Sequence, residues 1–187
     1  MSTRTTKDPS AATTSAGAPA VTYPVGDPRL LGIARGSIVV GHDGSADADA
    51  ALDVAFGLAR DLHAPLAVIR VWSIFDAPRL PGFRFEYASS FPELATAVQK
   101  AVTADTEPLA ARYPTVRPQV REVRDVPDEA LPRLAEGARM LVVGSRGLGT
   151  VRAAVLGSVS SSCLHRATCP VLVVPRVQGT PTTDLRP

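Results

Sequence analysis

The sequence predicts an α/β fold, in which a doubly wound, five-stranded parallel sheet carries helices on both faces. Short apolar runs rich in β-branched residues, typical of strands buried on both faces, alternate along the chain with stretches of helical periodicity. In such a sheet, ligands bind beyond the carboxyl ends of the strands, where the strand order reverses. Strands are predicted at residues 37–41, 66–72, 118–124, 140–144 and 171–175, with polar alternation in the third indicating an edge strand.

Four helices are predicted between these strands from their caps and apolar stripes. The first follows Ser45, a favourable N-cap, and its apolar stripe continues to about Leu62. The second begins near Pro92, and we expect Pro108 to end or kink it. The third and fourth are predicted at residues 128–138 and 158–165.

The folded unit is predicted to span residues 36–175, between two disordered tails. Residues 1–35 and 176–187 show no hydrophobic periodicity and contain few large apolar side chains. Chains of this composition do not bury enough apolar surface to offset the entropy of ordering them.

Charge and hydropathy narrow the classes of function. The formal net charge of +2, from 20 basic and 18 acidic residues, gives no reason to expect nucleic acid or a membrane as a partner. No segment is apolar over the roughly 18 residues that a membrane helix needs, and the N-terminal tail lacks the apolar run of a secretory signal. We therefore expect a cytoplasmic protein, in which Cys163 and Cys169 are reduced and mostly buried.

Residues 144–160 have the composition of a phosphate-binding loop. They follow a predicted buried strand and lead into a predicted helix, whose free N–H groups and dipole favour an anion. Glycines there let the backbone approach a phosphate closely. The candidate ligand-binding residues of this loop are Gly144, Ser145, Arg146, Gly147, Gly149, Gly157, Ser158 and Ser160.

Two other phosphate motifs do not fit this loop. A P-loop needs a lysine before Ser or Thr at the start of its helix, and the only lysine of the folded unit is Lys100, in another helix. A dinucleotide fingerprint needs a third glycine after Gly147 and Gly149, at the position that Arg152 occupies. A P-loop is therefore excluded and a dinucleotide site is disfavoured.

The spacing G-x2-G-x9-G-S, together with the segments IVVGHDGS and LHRATCPVLVVP, resembles the ATP-binding branch of the universal stress protein family. The similarity covers about residues 37–175. It implies the strand order 3-2-1-4-5, with ATP, alone or with Mg²⁺, beyond the first and fourth strands. No metal ligand of the protein itself is predicted.

The resemblance also implies roles for individual residues. Asp43 matches an aspartate that contacts the adenosine part, Gly41 a glycine that admits the nucleotide, and Val71 a residue beside adenine. The residues themselves leave alternatives open, because Asp43 suits an Asx-type turn and Val71 suits the core. The positions that match or adjoin the phosphate contacts are Val143, Gly144, Gly147, Gly157, Ser158 and Val159.

Two residues depart from the family pattern. His42 stands where a small apolar residue is usual, and we expect an exposed, tolerated side chain there, with a pH-sensitive contact as the alternative. Asp125 replaces a glycine common before the third helix, so we expect the wall of the adenine pocket to differ.

The sequence favours a binding protein over an efficient enzyme. Beyond Asp43, no carboxylate is expected in the site, and the three histidines lack metal-ligand spacing. We expect a nucleotide-dependent regulator with an unknown protein partner. The alternatives are an interaction module without nucleotide, a weak ATPase or self-phosphorylating protein, and a transferase on a related fold. The apolar last strand, residues 171–174, predicts a homodimer.

Overall fold

The computed structural model describes residues 31–73, 90–148 and 156–175. The predicted C-terminal tail, most of the N-terminal tail and Gly149 of the candidate loop lie outside the described residues. The strands are β1 (Ile38–Gly41), β2 (Leu66–Trp72), β3 (Pro118–Arg124), β4 (Met140–Gly144) and β5 (Val171–Val174). The helices are α1 (Ala46–Asp61), α2 (Phe91–Arg112), α3 (Pro127–Leu134) and α4 (Ser158–Arg166).

The five strands form one parallel sheet in the order β3-β2-β1-β4-β5, which confirms the predicted fold class and strand order. The chain moves outward from β1 through β2 to β3, then crosses to β4 and moves outward to β5. Because parallel crossovers are right-handed, this reversal places α1 and α2 on one face and α3 and α4 on the other. The crevice of the fold therefore lies between β1 and β4.

Two hydrophobic cores, one on each face of the sheet, follow from the alternation of side chains along the strands. Ile38 and Val40 of β1 pack with Phe56 of α1 on the first face. Val39 packs with Leu131 of α3 on the second. All three β1 side chains are fully buried, as the continuous apolar run predicts.

Most helix boundaries agree with the sequence prediction to within one or two residues, and the exceptions are the ends of α3 and α2. The helix α3 ends at Leu134, four residues before the predicted end. Of the two outcomes expected at Pro108, an end of the helix is ruled out, because α2 continues to Arg112. Leu109 and Ala110, directly after the proline, pack against the core of the α1 and α2 face. This burial offsets the hydrogen bond that a proline cannot donate.

The described helices show no candidate for a membrane span, since none combines the necessary length with sufficient apolar composition. Both cysteines are free thiols. Cys163 lies in the core of the α3 and α4 face, where burial raises its pKa to about 12.

Gly144 ends β4 at the point where the backbone of α1 comes closest to the sheet. A Cβ atom at this position would lie 2.8 Å from the carbonyl carbon of Asp47 and 2.9 Å from the amide nitrogen of Ala48. These are backbone atoms of the first helical turn and have little room to move. The missing side chain therefore allows α1 to begin directly against the end of β4.

We expect Gly144→Ala to lower the free energy of unfolding by about 1–3 kcal/mol, the usual cost of overpacking. Gly57→Ala, in the middle of α1, is the matched control. A Cβ at Gly57 meets only the Tyr113 hydroxyl at 3.9 Å, so this change should add about 0.5–1 kcal/mol through helix propensity. Urea denaturation measures both values. A Gly144→Ala protein as stable as the parent would contradict the close backbone contact.

Candidate functional site

A cavity of about 700 Å³ opens at the carboxyl edge of β1, β2 and β4. The first turns of α3 and α4 form its far wall. It is the position that the reversal of strand order predicts for a ligand. The predicted site residues that border it are Gly41, Asp43, Val71, Val143, Gly144, Arg146, Gly147, Gly157, Ser158, Val159 and Ser160.

The part of the cavity under α3 is apolar. Val71 and Val143 pack against the core of the α3 and α4 face and also border the cavity. A Cβ at Gly41 would lie 2.8 Å from Cδ1 of Leu131, which also borders the cavity. Gly41 thus gives room to the Leu131 side chain. An apolar wall of this kind suits the flat face of a base.

Asp43 links the loop after β1 to the loop after β4. One carboxylate oxygen accepts the N–H of Ser45 at 2.9 Å, the Asx-type turn considered as an alternative. The other accepts the N–H of Leu148 at 3.1 Å. Asp43 is therefore both a turn residue and a wall of the cavity.

Gly147 makes this contact sterically feasible. A Cβ at Gly147 would lie 2.5 Å from Oδ2 of Asp43, closer than the two atoms can approach. A side chain at position 147 would therefore have to displace the Asp43 carboxylate.

Ser145 joins the two ends of the loop instead of bordering the cavity. Its carbonyl accepts the N–H of Gly157 at 2.9 Å and the hydroxyl of Ser160 at 3.1 Å. Its own N–H donates to the carbonyl of Val174 at 2.8 Å, and its hydroxyl donates to Oδ2 of Asp47 at 2.7 Å. The start of the loop is thereby fixed to β5, α1 and α4 at once.

The N-terminus of α4 faces the cavity with its first backbone N–H groups. Gly157 is the N-cap and offers no side-chain acceptor, and the first turn contains no acidic residue. The N–H groups of Ser158 and Val159 precede the first hydrogen bond of the helix, from Ser161 to Gly157. Together with the exposed Arg146 at the rim, they make this end of the cavity suitable for an anion.

The expectation that His42 is exposed is wrong, because its side chain is fully buried. Beyond Gly41 the chain turns toward α1, which places the imidazole beneath the β1–α1 loop. Its Nε2 lies 2.9 Å from Oδ1 of Asp49 in the first turns of α1, and its Nδ1 lies 3.0 Å from Arg70 of β2. Arg70, the only charged residue in the apolar run LAVIRVW, is the sequence signal that could have indicated a buried polar group.

A second carboxylate borders the cavity, contrary to the sequence prediction. Asp128 lies in the first turn of α3, and its backbone carbonyl accepts the hydroxyl of Ser162 on α4 at 2.6 Å. The pairing of α3 with α4 brings it there, and no local pattern shows that pairing.

Asp125, which was expected to alter the cavity wall, instead pairs with Arg133 at 2.5 Å and does not border the cavity. Within the described ranges, no group of three or more potential ligands is arranged for a metal ion.

Comparisons with known proteins agree on one family. The model of the universal stress protein family matches residues 35–175. A universal stress protein of Mycobacterium tuberculosis (strain ATCC 25618 / H37Rv) is 35% identical over 136 residues, which are 73% of this chain and 44% of that protein. The chain thus spans about half the length of the curated relatives that it matches.

Solved structures show the same relationship. A universal stress protein in complex with cAMP is 27% identical, with a TM-score of 0.54 over 75% of this chain and 97% of that one. A protein of the universal stress protein family from Burkholderia pseudomallei is 31% identical, with a TM-score of 0.52 over 75% of this chain and 96% of that one.

We expect Gly147→Ala to displace the Asp43 carboxylate from the Leu148 N–H and to lower the free energy of unfolding by about 1 kcal/mol. In an Asp43→Ala background the same change should cost much less, because the obstructing oxygen is gone. A double-mutant cycle followed by urea denaturation measures this coupling. Strictly additive effects would show that Gly147 and Asp43 are not in contact.

Proposed function

Because this chain belongs to the universal stress protein family, we propose that it binds ATP in the cavity at the carboxyl edge of the sheet and acts as a nucleotide-dependent regulator in a stress response. The observation that supports this most strongly is the N-terminus of α4, whose N-cap Gly157 offers no side-chain cap and which borders, together with Asp43, a cavity large enough for a nucleotide. The proposal assigns each end of the cavity to one part of the ligand.

The base would lie on the apolar part of the cavity, beside Val71 and Val143. Asp43 would accept hydrogen bonds from the ribose hydroxyls, since each carboxylate oxygen can accept a second donor besides its backbone N–H. The phosphates would lie against Gly147 and the first turn of α4, near the guanidinium of Arg146. Mg²⁺ would accompany the phosphates and be held chiefly through them.

A smaller adenine nucleotide is the second candidate. A related structure, 27% identical to this chain, is a complex with cAMP, and the apolar part of the cavity would receive the same base. The two candidates differ at the phosphates, because ATP carries more negative charge toward Arg146 and α4. The dependence of affinity on that charge therefore distinguishes them.

We propose binding, not rapid turnover, as the activity of this site. Both oxygens of Asp43 already accept backbone N–H groups. The proposal assigns no catalytic base, and Asp128, the other acidic residue at the cavity, has no role in it. Slow hydrolysis, self-phosphorylation and a purely protein-binding role are the alternatives. A cytoplasmic location and a regulatory protein partner belong to the proposal.

We expect calorimetry on the full chain to detect binding of ATP, and Arg146→Gln to weaken it about tenfold by removing a charge-assisted contact. Adenosine binding should be unchanged, and cAMP binding should change less than ATP binding. Arg117→Gln, at the amino edge of the sheet before β3, is the matched control and should have no effect. If ATP, ADP and cAMP all fail to bind, and mass spectrometry of denatured, freshly purified protein finds no nucleotide, the proposed function is refuted.

We also propose a homodimer through β5. The strand is an edge of the sheet, and its four side chains are only partly buried. Leu141 and Ser145 donate to the carbonyls of Pro170 and Val174, so alternation turns the N–H of Val173 toward the open edge. An apolar edge that no other described strand pairs with favours pairing with a second copy.

Val173→Pro should convert the dimer to a monomer. The proline removes the N–H that faces the open edge and leaves the hydrogen bonds between β4 and β5 in place. Light scattering coupled to size exclusion measures the mass, and far-UV circular dichroism checks the fold. Val173→Ala is the control and should remain dimeric. A parent protein that is monomeric at micromolar concentration would rule out this interface.

A further inference from the structure

A buried arginine lies beneath the loop that carries Asp43. Arg70 of β2 is 1% exposed and shares the strand face of Leu66 and Val68, which α1 and α2 cover. Burying a guanidinium is costly unless it is hydrogen-bonded and its charge is compensated. Burial lowers the pKa of Arg70, and Asp105 of α2 opposes that shift. Because burying the Arg70 guanidinium is unfavourable, we expect this side chain to have a specific role.

The guanidinium supports the β1–α1 loop from below. Nε of Arg70 donates to the carbonyl of His42 at 3.1 Å, and Nη2 donates to Oδ2 of Asp105 at 3.1 Å. Gly44 lies directly above, with a φ of +85°, and a Cβ there would be 2.8 Å from Nη2. The guanidinium thus contacts the loop on both sides of Asp43.

The same contact determines the tautomer of His42. Nη2 of Arg70 lies 3.0 Å from Nδ1 of His42, and a guanidinium can only donate. Nδ1 is therefore the acceptor, and the proton is on Nε2, which donates to Oδ1 of Asp49 at 2.9 Å. The neutral imidazole connects Arg70 to the first turns of α1.

We propose that Arg70 is a positioning residue for the candidate nucleotide site, and that it acts through His42 and Gly44 to hold the Asp43 carboxylate where it contacts the β4–α4 loop. The contact that it controls is the hydrogen bond from the Leu148 N–H to Asp43. This proposal deepens the proposed function and rests on it for the link to ATP. The positioning itself can be measured without a nucleotide.

The fork shape of the guanidinium is essential to this role. Nε and Nη2 bond three acceptors, two on His42 in the β1–α1 loop and one on Asp105 in α2, while the buried Nη1 makes no hydrogen bond to any described residue. A lysine has one ammonium on a flexible stem, and it cannot reproduce two directed contacts with His42. Charge alone is therefore insufficient.

The test uses NMR and calorimetry on the full chain with Arg70→Met, Arg70→Lys and Val68→Ala. Val68 is fully buried two residues earlier on the same face, so Val68→Ala is a control for lost packing alone. We expect Arg70→Met to move the Leu148 amide proton upfield, as its bond to Asp43 weakens. Nitrogen shifts of His42 should change from the Nε2–H form to a mixture of tautomers. Val68→Ala should change neither signal.

Arg70→Lys keeps the charge and is the variant to use if Arg70→Met does not fold. It should show the same two changes with smaller amplitude. Unchanged Leu148 and His42 signals in either folded Arg70 variant would overturn the positioning role. The same changes in Val68→Ala would also overturn it, since general loosening would then explain them.

ATP affinity provides the link to the site. Arg70→Met should weaken ATP binding by about tenfold, the scale of one lost charge-assisted contact, and Val68→Ala should not. If the parent protein binds no nucleotide, the proposed function fails, while the Leu148 and His42 signals still decide whether Arg70 positions Asp43. If the parent binds ATP and Arg70→Met binds it equally well, the positioning role is refuted and the proposed function stands.

Discussion

The geometry of this site depends on the contact between the first turn of α1 and the end of β4. Without a side chain on Gly144, the backbone at Asp47 lies against the strand, and two loops that are distant in sequence come within hydrogen-bonding range. The hydroxyl of Ser145 then reaches Asp47, and the N–H of Leu148 reaches Asp43. A larger residue at position 144 would separate the loops and remove both bonds.

Two sources of positive charge lie near this contact, and they differ in how far solvent and ligands can reach them. The dipole of α4 and the exposed Arg146 are on the cavity side, where an anion can reach them. Arg70 also borders the cavity, but its side chain is buried and its charge is compensated by Asp105 at 3.1 Å and by the carbonyl of His42. The buried cluster therefore acts on the conformation of the loop, since buried ionic groups serve best where they specify one arrangement.

Local patterns were sufficient to predict most of the fold. The predicted span of β3 matches the structure, and Ser45 caps α1 as expected, because strand periodicity and cap chemistry are encoded within a few residues. Pro108 shows the limit of such patterns, since packing of the residues after it extends α2 past the proline. His42 shows the same limit, because its burial depends on Arg70 and Asp49 from two other elements.

The sequence alone was enough to predict the fold class, the family resemblance and the kinds of residue at the carboxyl edge of the sheet. These properties follow from hydrophobic period and glycine spacing, which are local. The contacts that those residues make are visible only in the folded structure. Asp43 and Leu148 are 105 residues apart, and nothing local indicates that they bond. Gly144 and Gly147 look alike in the motif, yet one accommodates helix backbone and the other a carboxylate, because their neighbours come from the β1–α1 region.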